Sequence, residues 1–276
     1  MAFATLNGLE SARAQTPVDI TVSTLGGHIA TYSAVHLPDV GSSDEGLGGF
    51  QVDMTSINES PVNLAPHATF CTELGENISV GSYTAFEIVP LQYASAGTAG
   101  DPGTPSASIP PGGIGLQSAA EMRYLFDVYY VSEDLSLWTT SQSQAFQLAV
   151  WEIGHDPGNL NIVDGTSGGG VFYIPLQNDS TRDTTIALAQ SMLNAVALAN
   201  VGTGYVSTTV DIWSLADDNG ANASTGYQDI LFATFKSSSD GETATPLLPP
   251  PVPEASSLAL GAVGSVLLLR RRKFPA

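Results

Sequence analysis

Residues Ser143 to Ile153, SQAFQLAVWEI, constrain the fold more than any other stretch. Wound as a helix at roughly 100° per residue, they place Ala145, Phe146, Ala149, Val150 and Ile153 on one face, and Trp151 widens it. Gln144 and Glu152 are the positions expected to face solvent, with Leu148 at the margin. A face this apolar packs into the core. Gln147 is out of place there, because it falls on the buried arc one turn before Trp151. A buried amide without partners costs on the order of 1–3 kcal/mol. Gln147 therefore has a partner, or it is no longer an amide.

The composition suits a folded body with a core. Hydrophobic residues make up 43% of the 276, mean hydropathy is +0.11 and only 13% of residues are charged, so charge does not keep this chain unfolded. Acidic residues number 27 and basic ones 8, and four of the eight are Arg270, Arg271, Arg272 and Lys273. Residues 1–269 thus carry 4 − 27 = −23. Such a body repels phosphate backbones, which excludes nucleic acid as a partner. Cys71 is the single cysteine, which excludes an internal disulfide framework.

Residues 18–35 read as two strands about a Gly26-Gly27 hairpin turn. Further strand-like runs lie at 68–74, 84–92, 171–174, 205–213 and 228–235. Besides 143–153, two segments keep helical stripes: Met122, Leu125, Phe126, Tyr129 and Tyr130, then Ile186, Ala189, Leu193 and Val196 with Asp183 or Thr184 as N-cap. Residues 94–113 are rich in Gly, Pro, Ser and Ala and read as a long loop. The expected class is α+β: a β-rich sandwich or barrel portion (about 15–93 plus 171–236) with a helical subdomain inserted from about 116 to 200.

The C-terminal part reads as an address. A Ser/Pro-rich linker, residues 237–253, ends in five prolines between Pro246 and Pro253, a stiff extended stalk. Ala255 to Leu269 carries no charge and is followed by the Arg270–Lys273 cluster, which the positive-inside rule puts in the cytoplasm. A short C-terminal transmembrane helix is expected there. Pro253-Glu254, a short apolar helix and terminal arginines (Arg270, Arg271, Arg272) resemble the PEP-CTERM sorting signal of Gram-negative bacteria, although Ala255 stands where that family more often has a second proline. The resemblance implies an exosortase-type processing enzyme as partner, transient anchoring of segment 253–273 in the inner membrane, and export to the cell surface or extracellular matrix. At the other end, Ala12-Arg13-Ala14 looks like a small-x-small cleavage site, so residues 1–14 are expected to be the remnant of a signal peptide whose start codon lies upstream.

Gln147-Leu148-Ala149-Val150-Trp151 is similar to the Gln-x-Ala-aliphatic-Trp signature of the thioester domains of Gram-positive surface adhesins. Phe70-Cys71 resembles that family's aromatic-Cys signature, upstream and in strand context, while Phe146 replaces the Thr that usually precedes the Gln. The resemblance spans roughly residues 20–235. It implies an internal thioester between Cys71 and Gln147, shielded from water by Phe70, Phe146, Val150 and Trp151. It also implies acylation of a Lys amine or a sugar hydroxyl on a partner, a surface polysaccharide or a neighbouring protein. That is one-shot attachment, not enzymatic turnover, and it calls for neither cofactor nor metal.

Two other readings stand beside it. One is a non-covalent structural matrix protein in which Cys71 is an unreacted, buried thiol. The other is a secreted serine hydrolase centred on Ser167 in Gly165–Gly170, although the acidic residue of the trypsin-like run is missing. Weaker still, His67, Cys71 and His155 could ligate a metal, and Asp217–Gly220 could hold Ca²⁺. Solvent-facing turns and a satisfied core account for these residues more simply.

Overall fold

Strand β1 (Thr16–Ser23) alternates: Val18, Ile20 and Val22 are buried, with Asp19, Thr21 and Ser23 between them. It pairs antiparallel with β4 (Phe50–Ile57) on one edge and β7 (Gly81–Pro90) on the other. From β7 the sheet runs through β8 (Val210–Asp217), β9 (Ile230–Phe235) and β6 (His67–Cys71) back to β4, closing a barrel wall. The two-residue β5 (Ser60–Pro61) adds to the far end of β4, and β2 (Ala30–Leu37) pairs with β3 (Gly41–Leu47) as a separate ribbon. Between β7 and β8 lie three helices, α1 (Gly115–Tyr129), α2 (Thr140–His155) and α3 (Ser180–Ala199). The class is α+β, as expected from the sequence.

This is a computed structural model, and it describes residues 16–23, 30–37, 41–57, 60–61, 66–72, 80–94, 113–156, 158–162, 174, 180–217 and 229–236. The Pro-rich stalk and the tail with Pro253, Glu254 and Arg270–Arg272 lie outside the described residues, as do residues 1–14. Among the described residues, no helix is long and apolar enough to cross a membrane.

Two cores share the barrel wall. Val18, Ile20, Val22, Val52, Met54, Phe86, Leu215, Ile230 and Phe232 fill the barrel. Ala68, Phe70, Leu231 and Ala233, from the alternate positions of β6 and β9, join the helices in the second core. There Phe70 meets Phe146 at 4.6 Å and Trp138 at 5.2 Å between ring centroids, and Phe126 meets Phe146 at 4.8 Å.

Three expectations need correction. The Gly26-Gly27 hairpin does not join β1 to β2, because β1 is claimed by β4 and β7 and β2 pairs with β3. A tight-turn dipeptide proposes a local pairing, but the apolar face of β1 is buried only inside the barrel. The strand expected at 205–213 starts at Val210. Before it, the Asp127 carboxylate accepts the Thr208 and Thr209 main-chain N–H groups at 2.9 and 3.1 Å and the Tyr205 hydroxyl at 2.6 Å, so those amides are withdrawn from any ladder. Helix α3 begins at Ser180, ahead of the expected caps, and Asp183 sits in its first turn, where it favours the helix dipole. Of the expected strand 171–174, only Ile174 is described, its N–H donating to the Ile162 carbonyl at 2.9 Å.

Gly49, just before β4, shows how tightly the helices sit on the wall. A Cβ there would lie 3.0 Å from Phe70 Cε1 and 3.1 Å from Leu135 Cδ1. Phe70 is wedged among aromatic rings and has no room to yield. Gly49→Ala is therefore expected to lower stability by about 1–3 kcal/mol, the usual cost of overpacking, read as a lower denaturant midpoint at unchanged m-value.

Candidate Cys71–Gln147 site

Helix α2 starts with a capping box, Thr139 and Gln142 satisfying each other's main-chain N–H groups. That start sets Ser143 and Gln147 one turn apart on one face, against β6. Strand β4 pairs with β6 only from Val52↔His67 to Phe50↔Thr69. Where that ladder stops, α2 continues it with side chains. Ser143 Oγ accepts the Gly49 N–H at 3.1 Å. The Cys71 N–H donates to Gln147 Oε1 at 2.9 Å, and Gln147 Nε2 donates to the Cys71 carbonyl at 2.7 Å. The Gln147 amide thus stands in for the peptide group of a missing strand. On the other edge, β6 pairs with β9 through Phe70↔Leu231 and Cys71↔Ile230, and the Thr72 N–H donates to the Asp229 carbonyl at 3.0 Å.

Cys71 and Gln147 are each 1% exposed. By register Cys71 shares its face with Ile230 of the barrel interior, yet it packs within the helix-side core. It therefore sits at the seam between the two cores. Phe70, Phe146, Val150 and Trp151 are all buried in that same helix-side cluster. Gln147 has partners as an amide, so the first branch of the sequence argument holds as the chain stands: the Cys71 main chain satisfies it.

Both ends of β6 are held by groups to which sequence reasoning gave a different role or none. Ala68 and Ala233 would face each other two residues beyond the last β6–β9 pair, Phe70↔Leu231, but the segment after α1 is wedged between them, the Tyr130 hydroxyl lying against both carbonyls. The Tyr130 hydroxyl donates to the Ala68 carbonyl at 3.0 Å, and the Ala68 N–H donates to the Glu133 carbonyl at 2.5 Å. The Glu133 carboxylate accepts the Phe235 N–H at 2.7 Å and lies 3.4 Å from His67 Nε2. Burial alone would raise the Glu133 pKa, but the hydrogen bonds from His67 and Phe235 hold it below the usual carboxylate value. At the other end, His155 Nε2 lies 3.1 Å from the Thr72 carbonyl. A carbonyl only accepts, so that nitrogen carries the proton. Burial lowers the His155 pKa to about 4, so the ring is neutral at physiological pH. His67 and His155 are thus committed to Glu133 and Thr72, and no trio of His, Cys, Asp or Glu with metal-binding geometry occurs among the described residues.

Gln144 and Glu152 do not face solvent, contrary to expectation. They are 6% and 0% exposed, because α1, α3 and β6 pack on α2 and the Asn161 main chain of residues 158–162 reaches Glu152. Gln190 of α3 fixes that segment, donating to the Leu160 carbonyl at 2.8 Å and accepting the Ile162 N–H at 3.0 Å. Burial, then the nearby Asp156 charge, push the Glu152 pKa up to about 9, and the Asn161 main chain offsets only part of this. Glu152 is thus a neutral acid at pH 7.

Trp151 lies one turn after Gln147 and is 2% exposed. Trp151→Ala is expected to cost about 3–5 kcal/mol in stability. If the thioester that the sequence resemblance implies is present, the change should also admit water to the seam, so that the acyl group at position 147 hydrolyses to Glu faster than in the parent. Following hydrolysis by mass well below the variant's melting temperature separates the two effects. An unchanged lifetime would leave Trp151 as core only.

Ser167 and Gly165–Gly170 lie outside the described residues, as do Asp218–Gly220. The chain matches no family model and no curated protein. Among solved structures it is similar to the N-terminal domain of the Streptococcus pyogenes pilus tip adhesin Cpa, with a TM-score of 0.38 and 12% identity over 78% of this chain and 97% of that one.

Proposed function

We propose that this is an exported surface or matrix protein that attaches covalently to a partner through an internal Cys71–Gln147 thioester. The observation that carries the reading is the edge-on pairing of the Gln147 amide with the main chain of Cys71 inside a dry, aromatic-rich seam. The amide carbon is one bond from each of the two paired atoms, which puts the only cysteine of the chain beside it. The Cys71 N–H polarises the amide carbonyl where negative charge develops on thiol attack. In closure, sulfur bonds to the amide carbon, the carbon–nitrogen bond breaks, and the thiol proton leaves with ammonia. In attachment, a partner's amine or hydroxyl bonds to the same carbon and Cys71 departs as thiolate, taking up the nucleophile's proton. Burial keeps water from competing.

The acidic body and the PEP-CTERM-like tail support export, exosortase-type processing and a place at the cell surface or in the extracellular matrix. A surface polysaccharide or a neighbouring protein would supply the nucleophile. No cofactor is called for, and the chemistry is spent in one event.

A structural matrix protein is the second reading, favoured by the pairing of both Oε1 and Nε2 of an unreacted Gln147 with the Cys71 main chain. Intact-protein mass decides between them. The attachment reading expects the folded chain to be lighter by one ammonia than its sequence, and to regain mass as the adduct when treated with methylamine. A folded chain at its full sequence mass overturns it.

A further inference from the structure

We infer that His155 is the positioning residue for thioester closure: by holding the Thr72 carbonyl, it keeps Cys71 against α2 while the Gln147 amide is consumed. The inference rests on the thioester reading and names a residue that closure needs but does not spend.

Three side chains of α2 reach main-chain groups of the barrel wall near Cys71. Ser143 Oγ accepts the Gly49 N–H at 3.1 Å, and Gln147 meets the Cys71 N–H and carbonyl at 2.9 and 2.7 Å. His155 Nε2 donates to the Thr72 carbonyl at 3.1 Å. Gln147 and His155 thus grip consecutive residues of the chain. Thr72 is also fixed from β9, because its N–H and its Oγ1 donate to the Asp229 carbonyl at 3.0 and 3.3 Å. The β9 contacts tie this segment to the barrel. Its alignment with the helix that carries Gln147 is set from α2.

Closure spends part of that alignment. Sulfur bonds to the amide carbon, the carbon–nitrogen bond breaks, and Nε2 leaves as ammonia with the thiol proton. The contact between Nε2 and the Cys71 carbonyl therefore ends in the step where placement matters most. Attack needs the sulfur about 3–3.5 Å from the carbon, and a displacement of about 1 Å can cost a hundredfold in rate. A contact that the reaction does not consume must keep residue 71 in place. The His155 contact falls one residue from Cys71 and comes from the same helix as Gln147, at a spacing that the helix fixes at about 12 Å. The ring is buried and neutral, so it holds the carbonyl without adding charge beside the departing ammonia. Ser143 cannot take over this task, because its partner Gly49 precedes β4 and is not part of the segment that carries Cys71.

The experiment compares the full parent chain with His155→Gln and His155→Phe, each freshly purified and kept well below its melting temperature. The Gln amide nitrogen falls where the imidazole Nε2 stands and keeps the donor, whereas Phe fills the space without one. Intact mass reads the closed fraction as chain lighter by one ammonia, and peptide mapping tells an unreacted Gln147 from the Glu left by hydrolysis. His155→Gln is expected to close as the parent does. His155→Phe should show a closed fraction lower by roughly tenfold or more, with residue 147 recovered as unreacted Gln. A folded His155→Phe that closes as fully as the parent overturns the inference and leaves the attachment reading intact, whatever the variant loses in stability. Recovery of residue 147 as Glu in that variant overturns it too, because closure then took place. A His155→Gln that stays as open as His155→Phe overturns it as well, since the donor to Thr72 is then not what matters. If His155→Phe does not fold, His155→Asn replaces it with the same expected and overturning results, its shorter amide stopping short of the carbonyl. A parent that never loses an ammonia overturns the attachment reading and this inference together.

Discussion

Cys71→Ala and Gln147→Ala are each expected to abolish labelling by small amines such as methylamine while leaving a folded protein. Labelling needs an acyl carbon more electrophilic than an amide, and neither side chain supplies one alone. The two variants should differ in stability. Cys71→Ala removes one buried sulfur and keeps both main-chain groups of residue 71 paired to Gln147, a loss of about 1–2 kcal/mol. Gln147→Ala removes the partner of a buried N–H and a buried carbonyl at once. At about 1–3 kcal/mol for each group left unsatisfied, it should be the less stable of the two. Mass after methylamine treatment reads the chemistry, and denaturant midpoints read the stability. A Gln147→Ala variant that labels as the parent does would remove Gln147 as the electrophile.

How much of this was legible depended on whether the deciding contacts were local. The segment around Gln147 declared itself because periodicity and apolarity agree over 11 residues, SQAFQLAVWEI. The same periodicity misplaced Gln144 and Glu152, because it assumes that a helix has one covered side, whereas α2 is covered on every side. Nothing in residues 143–153 reports that α3 and the 156–162 segment close over the outer face. Strand β1 failed in a similar way: Gly26-Gly27 is a local signal, but the barrel pairs β1 with residues 28 to 72 positions away. The wedge of Tyr130 and Glu133 between β6 and β9 had no sequence signal, since its hydrogen bonds join residues 62 to 103 positions apart. Ser143 could have been found. It precedes Gln147 by one turn, and a small hydroxyl on the buried arc of a helix usually reaches a main-chain partner.

Glu152 sets the expected response to pH. Its carboxyl ionises near 4.5 in the unfolded chain but only near 9 in the folded one, so between those values the folded state holds one more proton and stability falls as pH rises. His155 acts in the opposite sense. Its pKa drops from 6.5 to about 4 on folding, so the unfolded chain binds the extra proton between those values and stability rises with pH there. The two slopes oppose each other from pH 4.5 to 6.5, and Glu152 acts without that opposition from 6.5 to about 9. Stability of the parent is expected to be nearly flat over the lower window and then to decline by up to about 1.4 kcal/mol per pH unit over the upper one. Glu152→Gln removes the ionisation and keeps the shape. It should be more stable than the parent at pH 8 by about 2 kcal/mol or more, with no decline toward pH 9 and a rise from pH 4 to 6.5 as His155 acts alone. Denaturant melts of both proteins at half-unit steps of pH test this. Parallel curves for the two proteins between pH 6.5 and 9 would mean that Glu152 is charged in the folded state, held by a group other than the Asn161 main chain.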